Sequence, residues 1–175
     1  MINMGNDYGG TGWGGGTEST DRLKQIARDE IRNPQTPPRR KVFLSYRFRD
    51  KDKVSMLRGQ AKNENTDLDF IDMGLKVPFN SENADYIKAG IRERIRQSSV
   101  TLVVVSDSTH ESDWVNWEIR ESVNQGKGVV VVDIRTNPST PLPAAINETS
   151  GVQVVKWDHT EIMDAIHTAA KQRTE

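Results

Sequence analysis

With 175 residues, 24 basic and 25 acidic side chains and a net charge of −1, the chain can bury one real core, with some extension besides, but has no positive excess to capture nucleic acid. It contains no cysteine, which excludes disulfides and thiolate chemistry. Its three histidines, His110, His159 and His167, lack metal-ligand spacing, so no metal site or cofactor is expected. The longest apolar runs fall far short of a membrane span, and the polar, Gly-rich start is unlike a signal peptide; a cytoplasmic protein without membrane contact is expected.

Residues 1–40 differ in character from all that follow. The stretch Gly5 to Gly16 is glycine-rich, with Tyr8 and Trp13 inserted, and is expected to be flexible. Thr17 to Arg32 reads as a helix with a narrow stripe of Leu23, Ile26, Ala27 and Ile31, ended by Asn33-Pro34. Pro37-Pro38-Arg39-Arg40 is an extended lead-in. The arm is either a docking element or a solubilising tail with one packed helix.

Residues 41–175 read as one domain in which strands alternate with helices. Val42–Tyr46 is the first strand, followed by a helix that Asp50 can cap and that runs through Lys53, Met56, Leu57 and Ala61. Leu68–Asp72 is a second, more polar strand, and a loop with Gly74, Pro78 and Phe79 leads to a helix starting at Asn80 or Ser81. Then come a buried strand at Val100–Ser106, a helix at Trp114–Gln125 and a strand at Gly128–Asp133. A proline-containing loop from Arg135 to Gly151 precedes a last strand at Val152–Lys156 and a closing helix at Thr160–Lys171. Such alternation implies an α/β, flavodoxin-like, doubly wound fold: a mostly parallel five-stranded sheet with helices on both faces.

In that fold, ligands bind beyond the carboxyl ends of the strands. The Trp114–Gln125 helix opens there, and Trp114 and Glu118, four apart, share one face of it. Val115, Ile119 and Val123 make its apolar stripe, Glu118 lies on the margin, and Trp117 points more nearly to solvent. A marginal carboxylate can be partly desolvated without being buried, which raises its pKa; alternatively Glu118 is solvated and Trp114 fills a core gap. Ser45, Tyr46 and Arg47 leave the first strand toward the same crevice, and Asp72 ends the second. Arg47 could meet a pyrophosphate or be a surface arginine, and Asp72 could hold a ribose or cap its loop. Asp107 belongs to the loop after the third strand, and His110 reads as an exposed loop histidine. GxxxxGK[ST] is absent, GxGxxG is missing between the first strand and its helix, and that turn, Ser45 to Asp50, is neither a flavin-phosphate loop nor an acidic phospho-acceptor.

The ordered set VFLSY (42–46), GQAKN (59–63), FID (70–72), KVPF (76–79), RERIRQSSV (92–100) and SDWVNWEI (112–119) resembles the bacterial TIR-like domains. The match is to the kind found as the signal-generating protein of the Thoeris anti-phage system, and it spans about residues 40–157. The resemblance implies that Glu118 is the catalytic carboxylate and Trp114 its partner in the family's Trp-x-x-x-Glu pattern. It also implies that NAD is a substrate, not a cofactor, cleaved between nicotinamide and ribose, with a cyclic ADP-ribose-type product that acts on a separate effector protein. Phe79 then lies in the loop over the crevice, where it can stack on a base or anchor the loop. Assembly through TIR surfaces is a further expectation. The alternatives are a non-catalytic interaction module, with an exposed Trp117 at its surface, and a sensor of an NAD-derived nucleotide.

Overall fold

All five strands form and pair in parallel. They are β1 (Arg40–Tyr46), β2 (Leu68–Ile71), β3 (Val100–Val105), β4 (Gly128–Asp133) and β5 (Gln153–Val155), in the order β2-β1-β3-β4-β5. The computed structural model describes residues 39–62, 67–72 and 78–172, with Arg22, Lys24, Gln25 and Arg28. The chain divides into two units, Met1–Pro37 and Pro38–Glu175. In the first, the four described residues have helical backbone and are exposed, and the rest of the expected arm lies outside the described residues.

The sheet's two-sidedness follows from the period-two alternation of its apolar runs. Val42, Leu44, Leu102, Val104, Val130 and Val132 point to one face, where α1 (Lys51–Ala61) and α5 (His159–Lys171) lay down Val54, Leu57, Ile162 and Ile166. On the other face α2 (Ala84–Gln97) sets Ile91 and Ile95 against Phe43. There α3 (Asp113–Asn124) and α4 (Ala144–Asn147) cover Val103, Val105 and Val131 with Val115, Ile119 and Ala145. Each such aliphatic side chain contributes roughly 1.5–3 kcal/mol on full burial. β3, buried at every position, is the hub: it pairs with β1 from Val42↔Val100 and with β4 from Val100↔Gly128.

Helix ends are closed by side chains and one glycine. Ser112 accepts from the Val115 amide at the start of α3, and Asp158 from the Glu161 amide at the start of α5. Gly126, at φ 66°, ends α3, with Gly126 N–H donating to Val123 O and Lys127 N–H to Ser122 O. The buried Lys127 then donates to the carbonyls of Arg96 and Ser98 at 2.9 and 2.8 Å, placing a cation at the carboxyl end of α2.

Four local expectations are corrected. Asp50 precedes α1 but makes no side-chain cap; its buried carboxylate accepts from Ser106 Oγ at 2.7 Å instead. The helix expected from Asn80 or Ser81 begins at Ala84, because turns at Pro78–Ser81 and Ser81–Ala84 use those residues first. Val123 is exposed, and Ser122 is buried in its place, bonding Thr101 and the Glu118 carbonyl at 2.7 Å each. Inside the long proline-containing loop, Ala144–Asn147 forms an extra helical turn that packs Ala145 and Ile146 under α3.

Candidate functional site

β1 and β3 are adjacent, while their crossovers leave in opposite directions, so a crevice opens above their carboxyl ends. Ser45 sits in β1 on the same face as Phe43, beneath the first turns of α3. The alternation that buries Phe43 also turns Ser45 inward, and Ser45 Oγ donates to Glu118 Oε2 at 2.5 Å. Glu118 is 5 % exposed. Here the sequence expectation is corrected: the carboxyl is buried, not marginal, because β1 packs beneath α3 and sets Ser45 against it.

Burial pushes the Glu118 pKa up to about 8; the Ser45 hydrogen bond opposes that rise, and the nearby Asp72 charge adds to it. At neutral pH the site therefore holds mostly the protonated acid. A cation brought against it would draw that proton off, since Coulomb attraction is strong where water is excluded.

Tyr46, one residue on, faces the α1 side of the sheet. Its hydroxyl donates to Asp72 Oδ2 at 2.7 Å, and Asp72 also pairs with Arg58 of α1 at 2.5 Å. Burial, then the hydrogen bond to the Asp72 carboxylate, raises the Tyr46 pKa. Ser45–Glu118 and Tyr46–Asp72–Arg58 thus occupy opposite sides of the end of β1, and the Asp72 charge acts on Glu118 across it.

Arg47 reaches across the crevice rather than into open solvent. It donates to the Ser108 carbonyl and to Glu111 Oε2, the latter at 2.7 Å, and this lowers the Glu111 pKa. The contact ties the end of β1 to the loop between β3 and α3. Asp107, in the same loop, accepts from the Thr136 amide and hydroxyl and from the Asn137 amide, so it anchors the loop after β4. His110, expected to be exposed, is half-buried, and its Nδ1 is enclosed without a hydrogen-bond partner.

The aromatic residues cluster on the α2 side. Trp114 stands edge-on to Phe79 at 4.8 Å and to Trp117 at 6.0 Å between ring centroids, and packs with Phe43, Ile91 and Ile95. The Lys88 ammonium lies 4.1 Å from the Phe79 centroid, and Arg92 lies 5.4 Å from that of Trp117. Trp117 is thereby half-buried under two cations, a correction to its solvent-facing reading: on a helix packed by α2, its angle from the apolar stripe points it at that neighbour and not at water.

Of the expected residues, the fold brings Ser45 and Glu118 into contact, joins Tyr46 to Asp72, and sets Phe79 edge-on against Trp114; Arg47 is held by Glu111. Sequence reasoning missed Arg58, Lys88 and Glu111, exposed or half-exposed charges on helices and a short turn. No local signal distinguishes them from solvated charges, because their partners lie 14 or more residues away in other elements or are rings.

Compared with known proteins, residues 43–139, more than half of the chain, match the family described as the TIR-like domain of the Thoeris protein ThsB. No curated protein matches closely enough to count as a relative. Among the described residues, no helix is long and apolar enough to cross a membrane.

Proposed function

The chain belongs to the family of Thoeris ThsB TIR-like domains, and on that premise we propose that it is an NAD-consuming enzyme of bacterial anti-phage defence. It cleaves the nicotinamide–ribose bond and makes a cyclic ADP-ribose-type signal for a separate effector. The observation that carries the reading is the buried Glu118 carboxyl held by Ser45 at 2.5 Å within the Trp114-x-x-x-Glu118 turn of α3.

The chemistry suits a lone carboxylate. Ordinary glycosidases need a second carboxyl to protonate a poor leaving group. The pyridinium of NAD is already cationic; when the bond from C1′ of the ribose to the ring nitrogen breaks, its electron pair leaves with neutral nicotinamide. What remains is an oxocarbenium-like ribose. Glu118, ionised by the approaching cation, stabilises that charge, and Ser45 orients it. Addition of water and loss of its proton gives ADP-ribose. Attack by an adenine nitrogen gives the cyclic product, favoured when the substrate is folded back on itself. Tyr46 and Asp72 offer a hydroxyl and a carboxylate for ribose hydroxyls, Arg47 is the candidate for the pyrophosphate, and Phe79 and Trp114 form an aromatic wall. The interaction-module alternative leaned on an exposed Trp117, and the half-buried position of that ring weakens it.

The test is chromatography with mass detection of NAD incubated with the full chain and with Glu118→Gln, with and without lysate from phage-infected cells. Nicotinamide release that disappears in the variant is expected. Release unchanged by the variant, or absent in both conditions, would overturn the reading.

A further inference from the structure

Along the outer edge of β2 lies a groove of about 580 Å³ that bond cleavage at Glu118 does not require. β2 ends the sheet, so among the described residues no further strand fills the space beside it. Arg58 and Lys62 reach it from the α1 side, Arg94 from α2, and Arg39 from the start of β1. These four cations face two carboxylates, Asp69 and Asp72, and Asp72 is already matched by Arg58 at 2.5 Å and bonded to Tyr46. The lining is therefore net positive. The Arg58 Nε is enclosed without a hydrogen-bond partner. Phe70 gives the groove an apolar wall, and Gly59 leaves it open, since a Cβ built there meets nothing within 4 Å.

Planar guanidinium groups bind phosphate oxygens in pairs, and a ring wall beside them suits an attached base. We propose that this groove binds a small phosphate-bearing molecule of the nucleotide class, its phosphates on Arg58, Lys62 and Arg94 and its organic part against Phe70. A lone phosphate is too small for a groove of this size, and the apolar wall has no use for one. The groove shares Asp72 with the ribose contact proposed above, but its binding can be read without turnover.

The experiment is isothermal titration calorimetry of ADP and of inorganic pyrophosphate into the full chain. The comparison variants are the double charge reversal Lys62→Glu with Arg94→Glu, the occluding Gly59→Phe, and Glu118→Gln. ADP is expected to bind wild type and Glu118→Gln alike. Loss of two charge-assisted contacts is expected to weaken it by at least about tenfold in the double variant. Gly59→Phe, whose Cβ meets nothing within 4 Å, is expected to weaken it similarly. No ADP binding by wild type, or binding indifferent to both groove variants, would overturn the site. Pyrophosphate bound as tightly as ADP would overturn the role given to Phe70.

Discussion

Replacing Glu118 by Gln tests the buried carboxyl without any substrate. The amide keeps the side chain's shape and an oxygen that can still accept from Ser45, but it cannot ionise. In the folded chain the Glu118 pKa is about 8, against an ordinary 4.5. The folded state therefore holds a proton that the unfolded state releases over that interval. An acid whose folded pKa is raised contributes stability that is complete below about pH 4.5 and is lost as pH rises toward 8. Each pH unit inside the interval is worth up to about 1.4 kcal/mol, so between about pH 6 and pH 8 the wild type loses about 2 kcal/mol relative to Glu118→Gln. Urea unfolding of both proteins at intervals of half a pH unit measures the difference directly, because every other titrating group is common to the two. Parallel stability curves across that range would refute the argument: they would mean that Glu118 is already ionised and solvated in the native protein.

Three further outcomes follow from neighbouring contacts. Ser45→Ala removes the hydrogen bond that holds the Glu118 pKa down, so the rise of kcat/KM for NAD with pH should move further to the alkaline side, with activity at pH 7 reduced severalfold; an unmoved pH profile would detach Ser45 from Glu118. Lys127→Met leaves the carbonyls of Arg96 and Ser98 without their cation and should cost about 1–3 kcal/mol in denaturant unfolding, whereas an unchanged midpoint would show that water replaces it without loss. Gly128→Ala places a methyl 2.5 Å from the Ala169 carbonyl oxygen, so β4 and α5 must separate; a loss of about 1–3 kcal/mol is expected, and wild-type stability would show that the contact yields easily.

The order and type of the elements were legible in the sequence because the central strands are short apolar runs rich in valine and the long helices carry 3.6-residue stripes. Val100–Val105 could be read as a fully buried strand from its residues alone, and Trp114 and Glu118 share a helical face by spacing alone. The resemblance carried by SDWVNWEI then singled out Glu118, and the family match of residues 43–139 bears out the TIR-like fold. Burial and partnership were not legible, since both depend on what another element brings. Helical spacing put Glu118 on a margin, and only the packing of β1 and its neighbours under α3 made it a buried acid with Ser45 as donor. The same limit applies to Trp117, whose angle on its helix looked solvent-facing until α2 supplied Lys88 and Arg92 as its cover. Asp50 had the chemistry of a helix cap, yet the Ser106 hydroxyl, 56 residues away, claimed its carboxylate. Periodicity is a local property of the chain and survives being read locally; desolvation and pairing are properties of surfaces that meet only when the chain has folded.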